Sequence, residues 1–129
     1  MQTELFKKNA IILMYDDVQQ MLYKDILFAN GFIVKDADSV ENVIESLNRD
    51  TNLLLVDLDS LDNSSLKLMS DKISTFPSHI TFVGLTINSK PIDIDNIKII
   101  QLPIFIDRFL DEITKIDEPQ EKAICESIA

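Results

Sequence analysis

Apolar residues in this chain follow two alternating patterns. Short, nearly continuous apolar runs are succeeded by longer stretches in which apolar positions recur every three or four residues. Ala10-Ile11-Ile12-Leu13-Met14-Tyr15 is the first run, ended by Asp16, and Leu53-Leu54-Leu55-Val56, ended by Asp57, is the most apolar. Runs of this length stopped by polar residues fit strands buried on both faces. Phe32 to Ala37, Ile80 to Leu85 and Ile97 to Leu102 supply three further strands.

Helical spacing fills the intervals. Val18, Met21, Leu22, Ile26 and Ala29 predict one apolar helix face. Asp17 is its expected N-cap, with Gln20 three residues on, and Asn30-Gly31 its expected stop. A second helix is predicted from the Asp38-Ser39 cap to about Asn48, with Val40, Val43, Ile44 and Leu47 inward. A polar loop from Asp59 to Ser65 leads to a third, with Leu66, Met69 and Ile73 inward and Pro77-Ser78 as its breaker. Ile106, Phe109, Leu110 and Ile113 mark the last. Between Thr86 and Ile97 the repeat fails: Pro91 sits mid-segment and apolar residues alternate, so a turn or extended loop is expected in place of a helix.

Alternating strands and helices with short loops predict a parallel sheet covered on both faces. Such sheets gather functional residues at the carboxyl ends of their strands. Here those ends are expected to carry Asp16 and Asp17, Asp57, Thr86, and Leu102-Pro103. From Asp117 the chain turns polar and Pro119 interrupts it, so one domain over residues 1–116 and a tail or linker stub over 117–129 are expected.

Composition narrows the function classes. The 129 residues suit one domain, and 46% apolar with 26% charged residues is a globular balance. Twelve basic against 22 acidic residues leave a net charge of −10, which repels phosphate backbones and anionic lipids. Binding to nucleic acid or membrane through this domain is therefore not expected. No stretch approaches the ~20 apolar residues of a membrane helix, and the first apolar run is too short for a signal peptide, so a soluble cytoplasmic protein is expected. Cys125 is the one cysteine and excludes an internal disulfide. His79, the one histidine, reads as a surface turn residue.

The acids carry the candidate chemistry. Carboxylates of Asp16, Asp17 and Asp57 converging from neighbouring strand ends would repel one another unless a cation lay between them. Oxygen-only ligands favour Mg²⁺, Mn²⁺ or Ca²⁺, and a carboxylate beside such an ion can accept a phosphoryl group. The competing reading is that Asp16 and Asp17 cap a helix and Asp57 opens a loop.

From about Asn9 to Ile116 the residues resemble the receiver domain of two-component response regulators. Ala10 to Asp17 looks like that family's first strand with its acidic pair, and Leu53 to Asp57 like its phosphoacceptor strand. Gly31-Phe32-Ile33-Val34, Ala37, Ser39, Glu41, Val43 and Leu47 follow the second strand and helix. Thr86 stands at the switch Ser/Thr, and Leu102-Pro103 where the family has Lys-Pro. The resemblance implies a flavodoxin-like, doubly wound sheet of five parallel strands in the order 2-1-3-4-5, and the segment around Pro91 departs from it, with the helix before the fifth strand expected to be shortened or missing. It implies phosphoryl transfer to Asp57 from a sensor histidine kinase or phosphotransfer protein, and a downstream protein partner. Mg²⁺ would be held by Asp16, Asp17, Asp57 and Asp59, the last through its carbonyl, and Thr86 would act as the switch. Such a domain is a phosphoacceptor rather than an enzyme with turnover.

The sequence departs from that pattern. Leu102 replaces the lysine that contacts the phosphoryl group, removing a charge-assisted contact. Ile87 replaces a small residue beside the site, Leu61 a loop proline, and Ile99 the aromatic switch residue. A phosphorylation-independent receiver acting as a protein–protein interaction module is therefore the alternative. A small metal-dependent phosphatase is a third reading, suggested by Asp57 and Asp59 and disfavoured by chain length.

Overall fold

A computed structural model of the chain describes residues 8–77, 79–88, 92, 94, 96–103 and 106–115. Five strands, β1 (Lys8–Leu13), β2 (Phe32–Ala37), β3 (Thr51–Asp57), β4 (Thr81–Thr86) and β5 (Ile97–Gln101), pair in parallel in the order β2-β1-β3-β4-β5. Four helices, α1 (Asp17–Ala29), α2 (Val40–Ser46), α3 (Asn63–Ser74) and α4 (Ile106–Lys115), accompany them. This is the flavodoxin-like winding expected from the β-α alternation. Among the described residues no helix separates β4 from β5; Pro91 and residues 89, 90, 93 and 95 of that segment lie outside them. The tail over 117–129, its boundary at residue 116, Cys125 and Phe105 lie outside the described residues.

Strand alternation divides the core in two. Ile11, Leu13, Leu54, Val56 and Phe82 face α2 and α3, and meet Val43, Leu66, Met69 and Ile73 there. Ala10, Ile12, Leu53, Leu55, Val83 and Ile100 face α1 and α4, and meet Tyr23, Leu27, Phe109 and Ile113. Because both faces are covered, the central strands read as continuous apolar runs.

The first strand lies two residues earlier than the apolar run suggests. It starts at Lys8, opposite Phe32 of β2, and stops at Leu13, opposite Val56 of β3. Asn9 supplies the early anchor: its N–H donates to Asn52 Oδ1 at 2.8 Å and its side-chain amide to the Asp50 carbonyl at 3.0 Å. Met14 is buried in the core beyond the strand end, and Tyr15 is exposed.

The packed face of α1 also differs from the predicted one. Val18, Met21 and Leu22 are exposed, at 74%, 66% and 47%, whereas Tyr23 and Leu27 are buried and Ile26 is partly so. The tilted ring pair of Tyr23 and Phe109, centroids 5.1 Å apart, fixes that orientation. Apolar residues occupy more than half of the circumference of α1, so spacing alone leaves its rotation open. Asp16, not Asp17, occupies the N-cap position, and its side chain makes no capping bond. The helix closes at Asn30, with Gly31 at φ +93°, a conformation glycine adopts without strain. Elsewhere the caps follow the sequence: Ser39 Oγ accepts from the Asn42 N–H, and Asp62 from the Ser65 N–H. On α4, Phe109 and Ile113 are buried, but Ile106, expected inward, is half exposed.

Candidate functional site

The carboxyl end of β3 delivers Asp57 into a tight turn. Residues Leu58–Ser60 form one turn of 3₁₀ helix, and Asp57 caps it. Its Oδ1 accepts the Asp59 N–H at 3.2 Å and its Oδ2 accepts the Ser60 hydroxyl at 2.8 Å. Leu58 drops into the core beneath β4, where a Cβ on Gly84 would lie 2.5 Å from Leu58 Cγ. The absence of a side chain on Gly84 thus admits Leu58 and fixes the height of the turn.

This turn swings Asp59 across to the end of β4. Asp59 Oδ1 accepts the Thr86 hydroxyl at 2.6 Å, and Oδ2 accepts the Ile87 N–H at 2.7 Å. Thr86 is 1% exposed. Both oxygens of one carboxylate therefore clasp the strand end that carries the expected switch residue. The β5 end joins the same cluster: the Leu102 N–H donates to the Thr86 carbonyl at 2.8 Å, and Gln101 Nε2 donates to the Ile87 and Leu102 carbonyls, each at 2.9 Å. Leu102 packs against the core under α1 and α4. With Gln19, Tyr23, Ile87 and Pro103 it lines a crevice of about 300 Å³ beside the site. Burial raises the Tyr23 phenol above its ordinary value.

Asp16 and Asp17 are not at a strand end. The last pair of the β1–β3 register is Leu13 with Val56, and the buried Met14 follows beyond the end of β1. The acidic pair comes two residues later, exposed, at the start of α1. The apolar run overstates β1, and its last two residues, Met14 and Tyr15, lie between the strand end and the acids. Among the described residues no group of three or more His, Cys, Asp and Glu side chains is placed to hold a metal ion. The oxygen donors have the right chemistry for Mg²⁺. Their placement does not fit it, because the oxygens of Asp57 and Asp59 are engaged within the protein and Asp16 and Asp17 stand apart.

Sequence reasoning placed Asp57 and Thr86 at neighbouring strand ends and Asp59 in the loop after Asp57, and the structure brings these three together. It missed the role of the Asp59 side chain, the Ser60 hydroxyl and Gln101. An aspartate two and three residues ahead of Asp59 and Ser60 is an Asx-turn signal that would have located the first contacts. His79 is exposed, as its place before β4 suggested. No described helix is long and apolar enough to cross a membrane.

No family model matches the sequence, and a search of curated proteins gives no match. Solved structures do match by shape. A CheY-like receiver domain of a response regulator from Methylobacillus flagellatus superposes with a TM-score of 0.63 at 19% identity, over 83% of this chain and 98% of that one. The N-terminal domain of a response regulator/sensory box/GGDEF three-domain protein from Carboxydothermus hydrogenoformans superposes with a TM-score of 0.64 at 17% identity, over 92% and 99%. Identities this low establish likeness of architecture: the chain has the fold of these receiver domains.

Proposed function

We propose that this chain is a receiver-fold signalling module that works by binding a downstream protein, without Mg²⁺-assisted transfer of a phosphoryl group to Asp57. The clasp of Asp59 on Thr86 and Ile87 carries the reading. A hydrogen bond to a charged group is worth about 1.5–3 kcal/mol, so two of them hold the β4 end by roughly 3–6 kcal/mol. A ligand that reverses a two-state equilibrium from 1:99 to 99:1 must supply about 5.5 kcal/mol of differential binding. A phosphoryl group on Asp57 would have to draw Thr86 from this clasp without a lysine at position 102. No catalytic turnover is part of the reading.

Incubation with acetyl phosphate, or with a beryllofluoride salt and Mg²⁺, tests it. Intact mass and amide NMR spectra should be unchanged, and phosphate esters should not be hydrolysed. A mass increase or spectral shift that disappears in Asp57→Asn would overturn the proposal. It would restore the phosphoacceptor reading, with Mg²⁺ as cofactor and a histidine kinase or phosphotransfer protein as donor.

A further inference from the structure

Among the described residues the sheet ends at β5, whose outer side has no strand beside it. Backbone polarity along a strand alternates, so residues whose N–H and C=O serve one neighbour are interleaved with residues that face the other way. The Leu102 N–H bonds to the Thr86 carbonyl. Lys98 and Ile100, which share the parity of Leu102, therefore turn their backbone groups to β4, and Ile97 and Ile99 turn theirs outward. An edge of this kind is a template for another strand unless it is covered or charged. In this chain the helix that would flank it is absent from the described residues, and Ile99 is 44% exposed.

A groove of about 480 Å³ runs along this edge, lined by β5 together with Pro103, Arg108 and Glu112. Its floor is the strand, and its wall is α4. The charges differ from those of the molecule as a whole. Lys98 pairs with Glu112 at 2.7 Å, so among the described lining residues the Arg108 guanidinium leaves the groove one positive charge in excess, in a chain of net charge −10. A second copy of this chain would bring another −10 to the contact, which opposes self-association.

We propose that the β5 edge binds an extended partner segment by strand addition, and that this segment alternates apolar with acidic residues. Its backbone would pair with Ile97 and Ile99. Side chains on the α4 side would meet Arg108, and those on the opposite side would cover Ile99. Main-chain pairing supplies affinity in such a mode, and the alternate side chains supply selectivity. The inference rests on the proposed binding role only for its biological meaning. Its test reads β5, whereas the phosphoryl test reads Asp57, so either can fail alone.

The probe is a hexapeptide of alternating Val and Glu, with a Val–Lys hexapeptide as its counterpart, titrated into the full chain and followed by amide NMR and hydrogen exchange. The Val–Glu peptide should slow exchange at the Ile97 and Ile99 amides, and the Val–Lys peptide should bind at least tenfold more weakly. Ile99→Pro, tolerated on an edge strand but without an N–H to donate, should abolish binding with the fold retained. Arg108→Glu should reverse the preference between the peptides. Absence of protection at Ile97 and Ile99, or equal binding of both peptides, would overturn the proposal. So would concentration-dependent protection of β5 without peptide, which would assign the edge to a second copy of the chain.

Discussion

At the scale of single residues, Asp59 and Thr86 decide how the β3 and β4 ends meet. Thr86→Val keeps the shape and removes the hydroxyl that donates to Asp59. The variant should lose about 1–3 kcal/mol of stability, the cost of depriving a partly buried acceptor of its donor, and Thr86→Ser should recover most of it. Urea unfolding of the three proteins checks this, and a Val variant as stable as the parent would show that the clasp contributes nothing. Asp57 and Thr86 were legible as strand-end polar residues, and Asp59 as the start of a polar loop. The direction of Asp59 was not, because it follows from the 3₁₀ turn and from Leu58 filling the space over Gly84. Asp16 and Asp17 present the opposite case. Their acidity was plain, but their position depends on where β1 leaves the sheet, and an apolar run does not mark that point when Met14 is buried as core beyond the ladder.

At the scale of elements, period and composition located every strand and α-helix that the structure describes. Rotation of α1 was the failure. Val18, Met21, Leu22, Tyr23, Ile26, Leu27 and Phe28 offer more than one apolar arc, and packing on Phe109 selects the arc of Tyr23 and Leu27. Lys24 strengthens that choice from outside, since its ammonium lies 2.9 Å from Asp36 on β2, and this pairing raises its pKa. Two substitutions separate the faces. Leu27→Ala should cost about 2–5 kcal/mol, as deletion of a fully buried leucine does. Met21→Gln should change stability by no more than about 0.5 kcal/mol, as substitutions on an open surface do. Thermal or urea unfolding of both variants measures the contrast, and a large loss for Met21→Gln would mean that the predicted face packs after all.

At the scale of the whole molecule, charge is the dominant long-range property. Twenty-two acids against twelve bases leave −10, and surface ion pairs such as Lys24–Asp36, Lys67–Asp71 and Lys98–Glu112 offset this only locally. A chain of this length folds to a radius of gyration of about 14 Å. At about 10 mM salt the screening length is near 30 Å and every charge feels the rest, whereas at about 150 mM it is near 8 Å and only neighbours interact. Folding concentrates like charge, so screening should favour the folded state by more than it weakens the exposed pairs, which are worth little individually. The urea midpoint is therefore expected to rise between those two NaCl concentrations, and a fall would show that the ion pairs outweigh the net repulsion. Repeating the comparison with MgCl₂ at matched ionic strength separates general screening from a specific site. With the carboxylates of Asp57 and Asp59 turned inward, replacement of Asp57 by Asn should leave any additional Mg²⁺ effect unchanged. An Mg²⁺ stabilisation that vanishes in that variant would mean that the acids regroup around the ion, and the clasp would then be one state of a switch.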